Sequence, residues 1–82
     1  MSWFCYILQC ADATLYCGIT NDLEKRLAAH NAGEGAKYTR GRIPLSMLYH
    51  EACADKSAAL KREIQIKRLS RTNKLMLCQT AL

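Results

Sequence analysis

The sequence predicts an α+β protein in which a small sheet is covered by helices, in the order β-β-α-β-α-α. Three observations carry this. Two runs rich in aromatic and β-compatible side chains, 3–10 and 14–20, stand only three residues apart. Residues able to cap a helix precede three later segments: Asn21, Asp55 or Ser57, and Ser70. Between the first and second of these, Ile43-Pro44 breaks into another extended run.

The first run, Trp-Phe-Cys-Tyr-Ile-Leu-Gln-Cys, is apolar almost throughout and reads as a strand buried on both faces. The second, Thr-Leu-Tyr-Cys-Gly-Ile-Thr, follows after Ala11-Asp12-Ala13, a spacing suited to a hairpin. Asn21 then caps a helix from about Asp22 to Asn31, with Glu24 three residues later able to reach back, and Ala32-Gly33-Glu34-Gly35 stops it. A basic turn spans Lys37 to Arg42. The third strand runs from Leu45 to His50 or Glu51, the second helix to about Leu69, and a short last helix from Arg71 to Cys78.

A chain of 82 residues and 9.3 kDa suits one small domain, 1–82, that hides only roughly 60% of its unfolded surface. With half its residues hydrophobic and 23% charged, it has a globular composition, which excludes a disordered or fibrous chain. No apolar run approaches the ~20 residues of a membrane helix. The first residues lack the basic region of a secretory signal, so a cytoplasmic protein is expected. Five cysteines without a C-x-x-C pair suggest neither a disulfide set nor a zinc cluster, and reduced, buried thiols are the expectation. From Lys37 to Lys74 there are ten basic and three acidic side chains, a net +7, while the remainder nets −2. A field of that kind attracts a polyanion such as nucleic acid, although a merely solvated surface would have the same composition.

Register decides where the tyrosines lie. If the hairpin loop has three residues, Cys10 pairs with Thr14, and Tyr6 and Tyr16 become diagonal neighbours on one face; a two-residue loop would separate them. Arg26 and His30, at i and i+4, share one side of the first helix beside Leu23 and Leu27, where they suit an anion. At ~100° per residue, Glu63 falls inside the apolar sector set by Ala59, Leu60, Ile64 and Ile66. A carboxylate there requires a partner or a metal, and Lys67, one turn on, is the available cation.

Taken together, Phe4-Cys5-Tyr6, Tyr16-Cys17-Gly18 ten residues after Tyr6, Asn21-Asp22-Leu23, Arg26, His30 and the late helical Glu63 resemble the GIY-YIG nuclease domain, in particular its small stand-alone bacterial members. The resemblance spans about residues 3 to 75. It implies a three-stranded antiparallel sheet flanked by helices and a metal-dependent endonuclease that hydrolyses nucleic-acid phosphodiester bonds. DNA is the expected substrate, cut with structural or weak sequence selectivity, in repair or recombination. It further implies that Glu63 holds one Mg²⁺ or Mn²⁺, that Tyr6 or Tyr16 orients the attacking water, that Arg26 clamps the phosphate, and that His30 bonds a tyrosine or the phosphate. Lys37, Arg40, Arg42 and Lys67 would steer the substrate backbone, and a partner protein would supply any specificity. The chain departs from the family pattern at Phe4, at both cysteines, and at Ile19, where some members carry a lysine. The candidate for the family's late asparagine is Asn73, at a short spacing from Glu63. A non-catalytic nucleic-acid-binding module with the same fold is the alternative.

Overall fold

The computed structural model describes residues 2–80. Its elements are β1 (Trp3–Gln9), β2 (Leu15–Thr20), α1 (Leu23–Asn31), a short 3-10 turn (Lys37–Thr39), β3 (Ser46–Cys53), α2 (Lys56–Lys67) and α3 (Arg71–Gln79). The order is the β-β-α-β-α-α predicted. All strand pairs are antiparallel and the sheet runs β2-β1-β3, so β1 is central. That explains its unbroken apolar run: Cys5, Tyr6, Ile7 and Leu8 are buried from both sides. No helix among the described residues is long and apolar enough to cross a membrane.

The hairpin has the three-residue loop. Cys10 donates its N–H to the Thr14 carbonyl at 2.8 Å, and Phe4 pairs with Thr20. Asp12 holds the turn by accepting from the Thr14 N–H and hydroxyl, while Ala13 closes it at φ 68°. Tyr6 thus lies opposite Gly18 and Tyr16 opposite Leu8, on one face. On the other side of β1, the pairing with β3 contains a bulge: Ile7 faces Tyr49 and Leu8 faces Met47, leaving Leu48 as the extra residue. The bulge lets Met47 and Tyr49 serve opposite faces.

Each face has its own core. On one, Tyr6, Leu8, Cys10 and Leu45 pack with Tyr16, Met47 and the α1 residues Leu23 and Leu27. On the other, Cys5, Ile7, Cys17 and Tyr49 pack against Ile66 of α2 and Leu77 and Cys78 of α3. All five cysteines are free, and Cys5, Cys10 and Cys17 are buried, as expected of small apolar residues.

Several boundaries differ from those predicted. The α1 cap is Asp22, which accepts from the Lys25 N–H at 3.1 Å; Thr20 holds the Asp22 N–H with its hydroxyl, making Asp22 and not Asn21 the last extended residue. Strand β3 begins at Ser46 and continues to Cys53, because its ladder runs on to Trp3. Helix α2 starts from the Asp55 cap but stops at Lys67, where Arg68 and Leu69 make the turn into α3 and Ser70 caps that helix. Leu60 and Ile64 are 42% and 52% exposed, not buried. A three-stranded sheet is too narrow to cover a wide helix stripe, and only the Ala59–Ile66 line, flanked by half-buried Arg62 and Glu63, is pressed against it.

Candidate active site

The site grows from the face shared by the tyrosines. Tyr6, only 1% exposed, places its Oη 3.0 Å from His30 Nε2. The histidine reaches that point because α1 crosses this face on Leu23 and Leu27, turning His30 fully inward. Two glycines make the room. A Cβ at Gly18 would lie 2.6 Å from the Tyr6 Oη and 3.2 Å from Tyr16 Cε2, and one at Gly35 would overlap the His30 ring. The other imidazole nitrogen, Nδ1, is 2.8 Å from the hydroxyl of Thr39, which in turn donates to the Ala36 carbonyl at 2.9 Å. His30 and Thr39 are both fully buried, and no described buried side-chain nitrogen or oxygen lacks a partner.

Aromatic rings carry the cluster outward. The Tyr16 ring meets His30 edge-on, centroids 5.4 Å apart, and Tyr38 of the 3-10 turn stacks on Tyr16 at 6.0 Å. The Arg42 guanidinium lies 4.0 Å from the Tyr38 ring centre. Burial first, and the Arg26 guanidinium second, hold the His30 imidazole below its ordinary range. Burial raises the Tyr6 phenol, with Arg26 pulling the other way. Arg26 lines a groove of about 240 Å³ with Thr20, Asp22 and Lys25 at one end of β2. Farther along β2, a groove of about 290 Å³ is lined by Leu15, Tyr16, Cys17, Tyr38, Lys67 and Lys74.

The structure therefore joins Tyr6, Tyr16, Arg26 and His30. Glu63 is placed differently: its helix packs on the opposite face of the sheet, and the carboxylate, 19% exposed, sits 3.5 Å from Lys67 Nζ. Its connection to the tyrosines runs around β2, since Lys67 lines the same groove as Tyr16. Lys37 and Arg40 are exposed at the two ends of the 3-10 turn. Arg42 is engaged within the fold, donating to Asp12 at 3.0 Å and to the Tyr38 carbonyl at 2.7 Å. Asn73 sits exposed in the first turn of α3, where its backbone N–H is held by Ser70, and takes no part in the hydrogen bonds joining the cluster. Among the described residues no three His, Cys, Asp or Glu side chains gather as a metal cage.

Four members of this environment escape a reading of the sequence. Thr39 and Tyr38 stand in a basic stretch that looks like solvated loop, and Gly35 looks like a helix stop. Lys74 sits seven residues after Lys67, a helical spacing, but across the break between α2 and α3.

With its antiparallel three-stranded sheet flanked by helices, the chain matches the GIY-YIG catalytic domain over residues 2–76. The chain belongs to the GIY-YIG family of nucleases. Its similar relatives include UPF0213 proteins. One from Desulfotalea psychrophila is 49% identical over 98% of this chain and 74% of its own length, and one from Natronomonas pharaonis is 55% identical over 87% and 84%. The solution NMR structure of the UPF0213 protein BH0048 from Bacillus halodurans superposes with a TM-score of 0.62 at 40% identity, covering 98% of this chain and 85% of that one. That of EF2693 from E. faecalis gives 0.64 at 36% identity, with 99% and 88% covered.

Proposed function

We propose that this chain is a metal-dependent endonuclease that hydrolyses DNA phosphodiester bonds, choosing its substrate by shape more than by sequence, in repair or recombination in the cytoplasm. The observation that carries the reading is the convergence of two phenols, a buried neutral imidazole and a guanidinium on one face of the sheet, beside grooves lined by Arg26, Lys67 and Lys74. Hydrolysis needs a placed water, relief of the charge growing on the phosphoryl oxygens, and a stabilised leaving oxygen. Arg26 is suited to clamp the phosphate and Tyr6 or Tyr16 to orient the water, with His30 taking up phenol hydrogen bonding.

In this reading Glu63 would hold a hard divalent ion at the edge of the sheet beside β2. Glu63 is a half-buried carboxylate with one long ammonium contact, and Mg²⁺ or Mn²⁺ is commonly bound by one or two carboxylates together with water and phosphate oxygens. Such an ion would supply charge neutralisation on the phosphate. Lys37, Arg40 and Lys67 would hold the substrate backbone, contacts that confer affinity without reading bases, so a partner protein would supply further selectivity.

The test is cleavage of labelled branched and single-stranded DNA at low salt with Mg²⁺. Wild-type protein should nick at least one of them, and Glu63→Ala should abolish cutting while leaving the melting temperature nearly unchanged. Cutting that survives Glu63→Ala removes the metal assignment. One observation favours the second reading, a binding module without turnover: Ile19 stands beside the second tyrosine motif where some members place a lysine. Salt-sensitive binding with no metal-dependent cutting would establish it.

A further inference from the structure

Building on the nuclease reading of this site, we propose that Thr39 is a positioning residue. It fixes His30 in the tautomer whose Nε2 can take the phenol proton of Tyr6, making Tyr6 and not Tyr16 the group that receives a proton from the attacking water.

The argument starts from one fixed end. A backbone carbonyl only accepts, so the 2.9 Å hydrogen bond between the Thr39 hydroxyl and the Ala36 oxygen exists only with the hydroxyl hydrogen pointing to that oxygen. The same carbonyl also takes the Thr39 N–H at 3.0 Å, which pins the turn. With its hydrogen committed, Thr39 Oγ1 can only accept from His30 Nδ1 at 2.8 Å. A neutral imidazole carries one N–H, so that hydrogen is on Nδ1 and Nε2 is bare. Tyr6 Oη, 3.0 Å from Nε2, must then donate. This is the one arrangement in which all three contacts are hydrogen bonds at once, because a hydroxyl hydrogen turned to Nδ1 would leave the Ala36 contact without one. The chain crosses three elements, and Tyr6, His30 and Thr39 along it are buried.

The titratable and charged groups set around His30 are Tyr6 on β1, Tyr16 on β2 and Arg26 on its own helix. Tyr16 presents a ring edge to the imidazole, and no hydrogen bond joins the two among the described residues. In the step, the water oxygen forms its bond to phosphorus and releases a proton to the Tyr6 oxygen as the phenol hydrogen passes to His30 Nε2. The bond from phosphorus to the leaving oxygen breaks, and that oxygen takes a proton from solvent. The imidazolium keeps its Nδ1–H on Thr39 until its extra proton is lost to water.

The experiment records the ¹⁵N shifts of the His30 ring in wild-type, Thr39→Val and Thr39→Ser protein at neutral pH, with kcat and KM for a labelled DNA in Mg²⁺. The expected wild-type spectrum shows a protonated Nδ1 and a bare Nε2. Thr39→Val should move the proton partly to Nε2 and lower kcat by on the order of 10-fold, part of the roughly 10²–10⁴ that a positioned proton acceptor contributes. KM should stay the same, Thr39→Ser should restore both readouts, and Tyr6→Phe should cost more kcat than Tyr16→Phe. A protonated Nε2 in wild type overturns the proposal, whatever Thr39→Val does to folding. So does a larger loss in Tyr16→Phe, or a folded Thr39→Val protein with unaltered tautomer and kcat. Wild-type protein that cuts no DNA overturns the nuclease reading itself, and the nitrogen shifts decide the tautomer separately.

Discussion

At His30, the folded chain refuses a proton that the unfolded chain accepts at the ordinary value of about 6.5. Its depressed value in the fold means that the unfolded state binds more protons just below about pH 6.5, so stability is full above that pH and is lost as pH falls toward the folded value. Thermal melts from about pH 7 to 5 should show this loss, and His30→Gln, unable to charge, should flatten it over the same range. Gly18 is the second sensitive point. Its missing Cβ is occupied by the phenol of Tyr6, so Gly18→Ala must displace that ring or Tyr16, costing about 1–3 kcal/mol in urea unfolding along with any nuclease activity. The shared face of the tyrosines is legible in the sequence, because parity follows once a three-residue loop is chosen. Thr39 is not. A threonine among lysines and arginines looks solvated, and its burial depends on where α1 docks and on Gly35 leaving space for the imidazole.

Among the elements, the β1–β2 hairpin sets the site's register and contains one unfavourable residue. Ala13 adopts φ 68°, a left-handed conformation that is strained for any residue with a Cβ. Ala13→Gly should therefore raise the urea-unfolding free energy, by roughly 0.5–1 kcal/mol after the greater freedom of unfolded glycine is deducted. The start of α3, and that of α2 to within two residues, were legible in the sequence, since Asp55 and Ser70 are caps with local chemistry. The exposure of Leu60 and Ile64 was not, because it is set by the width of the sheet beneath α2, a property of three strands assembled and of no single segment. The same holds for Glu63, whose inward position its spacing reveals but whose side of the sheet it does not.

Across the whole molecule, folding turns a basic stretch of sequence into a rim. Lys67 and Lys74 meet at the groove beside Tyr16, while the turn bearing Lys37 and Arg40 lies over the same tyrosine through Tyr38. Lys74→Ala should weaken binding to any DNA about equally and reduce the slope of log affinity against log salt by about 1, measured by anisotropy between about 50 and 200 mM salt. The sheet also ends in two open strands, and the Leu48 bulge falls on one of them. A free strand with an even row of amides invites a stranger to line up alongside and seed fibrils. The surplus residue spoils that row, so the same irregularity that sends Met47 and Tyr49 to separate faces also makes this edge a poorer template for a foreign strand.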